Sequence, residues 1–296
     1  MLILHAMSEL PTIVLTGATG GLGQLAAVDL ARRGAHLILI ARNKARAEDI
    51  RALVEATAPQ STVKIFLADL SSMSDVRRVG TEIAATHPSI DVLINNAGLH
   101  AFEQRITADG FPIMVAVNYL APWLLTQHLR PALIRAAGSQ GEARVVAVAS
   151  EASRRHGRLA LPEDLTDTSS FTALGSSLLY GKSKLLDILF IQELARRLEG
   201  SRVSANALCP GFNVTGLGRE LRFAAQLERL LRALRIGDPA KGAGIIVRLA
   251  VDPEFRGISG GYFSVKGGKP LTPVWPSGDQ ELQARLWAQT ERLLAA

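Results

Sequence analysis

Short runs of β-branched and aliphatic residues alternate with longer helical patterns along most of the chain, and this alternation restricts the fold more than any other property of the sequence. The strand candidates are Thr12–Thr16, His36–Ala41, Val63–Leu67, Val92–Ile94, Arg144–Ala149, Val203–Leu208 and Gly261–Val265. Helical periodicity covers residues near 22–33, 44–57, 72–87, 113–137, 180–199 and 239–251. Repeated strand-helix units argue for a parallel sheet, because parallel neighbours need a crossover long enough to hold a helix. Right-handed crossovers then lay helices on both faces. The expected architecture is therefore α/β: a single doubly wound domain over residues 1–296, with about seven parallel strands.

Two stretches break the rhythm. Residues 151–179 form an irregular polar insert between a strand and a helix, and residues 212–238 separate the sixth strand from the next helix. Ligands of open parallel sheets bind beyond the carboxyl ends of the strands. Both stretches leave such ends, so both are expected to frame a site. The apolar fraction, 48%, is mostly Ala, Leu, Val and Ile with only 5% aromatic residues, which suits buried strands and packed helices.

Charge and cysteine content exclude several classes of function. The net charge is +6, yet the arginines are scattered, with no Lys/Arg block and no aromatic interleaving. A nucleic-acid partner is not expected, and affinity for an anionic cofactor is the simpler reading. Cys209 is the only cysteine, so no intramolecular disulfide or thiolate metal site can form, and its place after an apolar run suggests a buried structural thiol. The six histidines show no metal-ligand spacing, and no metal is expected. Met1 to Met7 is too short for a signal-peptide core and lacks a basic start, and no run reaches the ~18 apolar residues of a membrane helix. The expectation is a soluble, cytoplasmic protein.

Thr16-Gly17-Ala18-Thr19-Gly20-Gly21-Leu22-Gly23 follows the first strand and opens the first helix. Glycines there let the backbone approach a pyrophosphate, and the helix N-terminus adds amide donors and a positive dipole. The spacing is G-x-x-x-G-x-G rather than G-x-G-x-x-G. A plain glycine-rich turn is the competing reading, but the position between first strand and first helix favours dinucleotide binding. The end of the second strand bears on which dinucleotide. An acid there would meet the ribose 2′-OH of NAD, whereas Arg accommodates the 2′-phosphate of NADP. Ala41 stands where the acid would be expected, 18 residues after Gly23, and Arg42-Asn43 follows. This favours NADP.

Tyr180 and Lys184 are four residues apart, on one face of the helix that follows the insert. A phenol ordinarily titrates near ~10, and a fixed positive charge nearby favours the phenolate. The pair is a candidate proton-transfer device, although the same spacing arises by chance on amphipathic helices.

Taken together, these features resemble the short-chain dehydrogenase/reductase family, from about Thr12 to Val265. Within it the closest look is to the retinol-dehydrogenase and carbonyl-reductase-like branch, whose active-site helix reads very like residues 180–198. The 30-residue gap from Ser150 to Tyr180 is also long, as in that branch. The resemblance assigns Gly17, Thr19, Gly20, Gly21, Leu22 and Gly23 to the cofactor loop, and Asp69-Leu70 to the adenine. Asn95-Asn96-Ala97-Gly98 after the fourth strand matches one of the family's most specific signatures. Pro210-Gly211 with Thr215 matches the motif that cradles the nicotinamide carboxamide, with Asn213 where the family usually has Val or Ile.

The same resemblance implies the chemistry. Asn118 lies where the family's catalytic Asn sits, held in a helix irregularity, and links Lys184 to bulk water. Most members have two serines at the end of the fifth strand. Ala149 replaces the first, so the catalytic role falls on Ser150, with Ser153 as a nearby alternative. Tyr180 donates the proton, Ser150 positions the substrate oxygen, and Lys184 lowers the Tyr180 pKa and binds the nicotinamide ribose. The implied activity is NADP(H)-dependent hydride transfer between the cofactor and a carbonyl or alcohol.

Residues 217–236 read as an amphipathic helix. In the family this region is the substrate lid, which suggests an apolar ketone, aldehyde or alcohol; the rival reading is a helix lying on a membrane surface. His100 and His156 are candidates for the entrance. A catalytically silent NADP-binding regulator and an NAD-dependent alcohol dehydrogenase are the competing functions. A homodimer pairing residues 113–137 and 180–199 is a further implication, unless the 151–179 insert obstructs it.

Overall fold

The computed structural model describes residues 10–211 and 238–295. Seven strands form one parallel sheet: β1 (Thr12–Thr16), β2 (His36–Ala41), β3 (Val63–Leu67), β4 (Val92–Asn95), β5 (Ala143–Val148), β6 (Val203–Cys209) and β7 (Tyr262–Ser264). Their spatial order is β3-β2-β1-β4-β5-β6-β7. The order reverses between β1 and β4, which pair in the register Val14↔Leu93. A crevice opens at such a switch point, beyond the carboxyl ends of the strands.

Both faces of the sheet are buried, and successive strand residues feed different cores. Ile13, Leu15, Leu37 and Leu39 pack beneath α1 (Gly21–Arg32), α2 (Lys44–Thr57) and α8 (Pro239–Val251). Val14, Ile38, Ile40 and Leu93 pack beneath α3 (Met73–Thr86), α5 (Ala121–Gln140) and α7 (Ala173–Arg197). The continuous aliphatic runs of the sequence are the result of this two-sided burial. The expected strands are all present, the first three with the expected bounds and the others with ends displaced by at most one residue.

Three helical regions differ from the pattern that periodicity alone gives. The stretch near 113–137 is not a uniform helix: a turn, α4 (Ile113–Val115), passes into a π-helical turn over Ala116–Leu120 and then into α5. α7 begins at Ala173, earlier than expected, so residues 173–179 of the insert are helical. Thr172 starts it, its side chain accepting from the Gly175 amide at 3.4 Å, while the small polar residues of the first turns obscure the periodicity. The rest of the insert holds a 3-10 segment, Glu151–Arg155, and the short α6 (Glu163–Thr166). Lys182 of α7 tethers it through Asp164 at 2.5 Å.

The third difference is a helix absent from the sequence reading, α9 (Gln280–Ala295). Its buried residues Leu282, Leu286, Trp287, Thr290 and Leu294 follow a helical period. Trp287 packs edge-on against Trp123 of α5, with ring centroids 5.3 Å apart, and lies beneath the Arg197 guanidinium. The Thr290 hydroxyl meets Tyr119 at 2.6 Å. α9 thus lies on the two helices that the sequence offered for pairing with a second copy. Among the described residues, no helix is long and apolar enough to cross a membrane.

Candidate active site

A cleft of about 330 Å³ lies at the carboxyl ends of the strands. The glycine loop forms one wall. Gly17 has φ +71°, the left-handed region, and a Cβ on it would come within 2.8 Å of the Asn96 amide nitrogen. A Cβ on Gly23 would come within 2.2 Å of the Gly17 carbonyl oxygen. Glycine at both positions therefore lets α1 start directly against β1. Asn96 locks the arrangement from β4, its side-chain nitrogen donating to the carbonyls of Thr16 at 2.9 Å and Gly17 at 3.2 Å.

The start of α1 differs from those of α2, α3, α7 and α8. Asn43, Ser72, Thr172 and Asp238 each cap their helix by accepting a backbone N–H. The N-cap of α1 is Gly20, and no side chain caps it. The first amides of a helix are orphan donors, and here they border the cleft together with Thr19, Gly21 and Leu22. Donors and dipole left open at this point fit a phosphate.

The ends of β2 and β3 supply Arg42, exposed, with Asp69 and Leu70. One Asp69 oxygen accepts from the Ser71 amide and hydroxyl, at 2.9 and 2.8 Å, which fixes the turn. Ala97 and Gly98 after β4, and Pro210 and Gly211 after β6, complete the lining. Asn43 does not line the cleft: its side-chain oxygen accepts from the Arg46 amide at 3.0 Å and caps α2. Asn213, Thr215 and the expected lid, 217–236, lie outside the described residues.

Ser150, Tyr180 and Lys184 come together on the opposite wall. Ser150 starts the 3-10 segment, its hydroxyl accepting from the Ala152 amide at 3.1 Å. Ser153 is buried in that segment and does not line the cleft. α7 approaches this segment closely because residue 181 is glycine: a Cβ there would sit 2.4 Å from the Ala152 carbonyl oxygen. Gly181 is thus a positioning feature that the motif reading passed over, although it stands beside Tyr180.

Asn118 is buried in the π-helical turn and does not line the cleft. Its side-chain oxygen accepts from the Leu99 amide at 2.8 Å, and its nitrogen donates to the Leu99 carbonyl and the Ser183 hydroxyl, both at 2.9 Å. It therefore joins the irregular segment that follows β4 to α7, directly behind Lys184. The helix irregularity expected around Asn118 is present. His100 stacks on the Tyr180 ring at 4.6 Å and 16°, with Phe102 stacked on the histidine in turn. His156 instead contacts the Trp275 carbonyl at 3.0 Å.

The electrostatics depart from the simple picture of a lysine lowering a phenol. Burial pushes the Tyr180 pKa up; Lys184 and a hydrogen bond with Ser150 oppose it, while Asp187 and Cys209 add to it. The net displacement is upward. Lys184 is buried, which works against its charge, but Asp187 and Tyr180 more than compensate and hold its pKa above the ordinary value. Its ammonium donates to the Val148 carbonyl at 2.8 Å and to Asp187 at 2.9 Å. Burial raises the Asp187 carboxyl to about 6 against the pull of Lys184. Cys209 is a free, buried thiol, as expected.

The model of the short chain dehydrogenase family matches residues 11–161. Mouse retinol dehydrogenase 14 is 36% identical over 295 residues, covering 95% of this chain and 84% of the relative. Human polyprenol dehydrogenase is 32% identical over 281 residues, covering 94% and 83%. Among solved structures, an uncharacterised protein from Mycobacterium paratuberculosis superposes with a TM-score of 0.73 at 28% identity, covering 98% of this chain and 97% of that one.

Proposed function

The chain belongs to the short-chain dehydrogenase/reductase family, and we propose that within it the protein is an NADP(H)-dependent oxidoreductase that reduces an apolar ketone or aldehyde, with Tyr180 as proton donor. The observation that carries this reading is the meeting of Tyr180, Ser150 and Lys184 in one cleft with the uncapped start of α1. The donor set fits a dinucleotide: helix amides open to a phosphate, a close glycine approach at Gly17 and Gly23, and a basic residue at the end of β2. When bound, the nicotinamide would exchange hydride with the substrate's carbonyl carbon.

The protein's own part is orientation and proton movement. The Tyr180 hydroxyl, which ordinarily titrates near ~10 and is displaced further upward by burial, is protonated at neutral pH and donates to the oxygen that becomes an alcohol. Ser150 donates a hydrogen bond to the same oxygen and fixes its position, an electrostatic contribution that needs no rearrangement during reaction. Lys184 stabilises the phenolate left after transfer. Asn118 holds the segment after β4 against α7 beside Lys184. Arg42, with no acid at position 41, supports NADP over NAD.

Retinol and polyprenol, named in two relatives, are apolar alcohols, which supports an apolar substrate here. Both relatives are named as dehydrogenases, and this favours a second reading in which the same residues run towards alcohol oxidation. The test is Tyr180→Phe assayed with NADPH against a panel of apolar ketones and aldehydes. Turnover should fall by ~10²–10⁴-fold, the usual range for a lost general acid, with NADPH affinity within a few-fold of wild type. A variant that keeps most of its kcat removes Tyr180 from the reaction.

A further inference from the structure

Asp187 is a charged side chain in the core that the proton-transfer scheme leaves unused. It sits one turn beyond Lys184 on α7, and both side chains are almost wholly buried, at 3% and 5% exposure. Burying a carboxylate is unfavourable unless a partner and hydrogen bonds compensate. Here the partner is the lysine that the proposed reaction depends on.

The Lys184 ammonium is held on two sides, by Asp187 Oδ2 at 2.9 Å and the Val148 carbonyl at 2.8 Å. Val148 ends β5, two residues before Ser150. Asp187 therefore anchors Lys184 to the strand that delivers the serine. Its charge matters as well as its geometry. A bare ammonium beside Tyr180 would favour the phenolate, whereas a carboxylate pairing with that ammonium cancels much of the field at the phenol.

We propose that Asp187 is a positioning residue: it fixes the Lys184 ammonium against Val148 and, as its counter-charge, keeps Tyr180 protonated and ready to donate. This rests on the reading of Tyr180 as the proton donor. The groups facing Tyr180 are Lys184 and Asp187 from α7, Ser150 after β5, His100 stacked from the segment after β4, and Cys209 from the end of β6. Those facing Asp187 are Lys184 and, from the π-helical turn, Tyr119. Lys184 is the only cation among them that contacts Asp187 directly.

The sign follows from the charges. Removing the carboxylate leaves the ammonium unopposed, so the phenolate is favoured and Tyr180 ionises at lower pH. The chain has three tyrosines, and burial pushes the phenols of Tyr119 and Tyr262 far above the ordinary range. The part of an ultraviolet titration of phenolate absorbance that is lost in Tyr180→Phe is the ionisation of Tyr180, read without any turnover.

In Asp187→Asn, which keeps a hydrogen-bond acceptor for Lys184, that Tyr180 ionisation should fall by roughly one pH unit. The alkaline fall-off of carbonyl reduction should move by the same amount. Asp187→Glu, which keeps the charge, should stay near the wild-type value. If Asp187→Asn does not fold, Asp187→Ser, with room for water beside Lys184, serves the same comparison. An ionisation that stays in place or rises in the neutral variants overturns the proposal. Loss of the catalytic reading itself would be seen separately, as turnover surviving in Tyr180→Phe.

Discussion

The two walls of the cleft are built differently. The wall formed by the β1–α1 loop is made of backbone: glycines at 17 and 23, an uncapped helix start, and one side chain, Asn96, that binds carbonyls rather than facing the cleft alone. The wall formed by α7 and the 3-10 segment is made of side chains, Ser150, Tyr180 and Lys184, whose properties depend on neighbours from β5, the π-helical turn and the segment after β4. A backbone wall can bind an anion through groups that do not titrate. A side-chain wall can move protons, but only if each ionisation is tuned by its surroundings.

One pair of substitutions should separate the walls most sharply. Each puts a methyl group against immovable backbone. Gly23→Ala sets Cβ 2.2 Å from the Gly17 carbonyl oxygen, and Gly181→Ala sets it 2.4 Å from that of Ala152. Relieving such overpacking costs ~1–3 kcal/mol, or about 5–150-fold in an equilibrium. In Gly23→Ala the loss should appear as weaker binding of both NADPH and NADH, measured by cofactor fluorescence. In Gly181→Ala cofactor binding should hold within about threefold, and the loss should fall on kcat, because α7 moves away from Ser150. If both variants lose cofactor affinity equally, the walls are not independent.

The same division explains what could be read from the chain alone. Backbone walls depend on local order: the glycines and the strand before them occupy positions that spacing reveals, and the family resemblance adds Asn96, just after β4. The parallel sheet was legible for a related reason, since two-sided burial demands uninterrupted aliphatic runs. Asp187 was not legible, because a single acid in the run Leu185–Phe190 looks like any helical carboxylate until its burial against Lys184 is seen. Gly181 and the His100 stack were hidden too, as each needs a partner distant in sequence. Asn43 shows the converse: it follows Arg42 at the expected cofactor position, while its side chain is engaged in capping α2. α9 escaped because its polar-rich helix carries its apolar stripe mainly for α5 and α7.

The smallest effect belongs to Arg42, where a side chain has been added to the backbone wall. It lines the cleft at the end of β2, is exposed, and has no acid before it at position 41. A charge-assisted hydrogen bond to a phosphate contributes ~1.5–3 kcal/mol, and solvent exposure places this one at the low end. Arg42→Ala should therefore weaken NADPH by about tenfold while leaving NADH within twofold, since NADH carries no 2′-phosphate for the guanidinium to meet. Raising the salt concentration should shrink the wild-type preference for NADPH and leave the variant nearly unaffected, because screening acts on exposed pairs. Equal losses for the two cofactors would mean that Arg42 serves the loop's shape. The selectivity of the backbone wall would then have to come from groups other than this arginine.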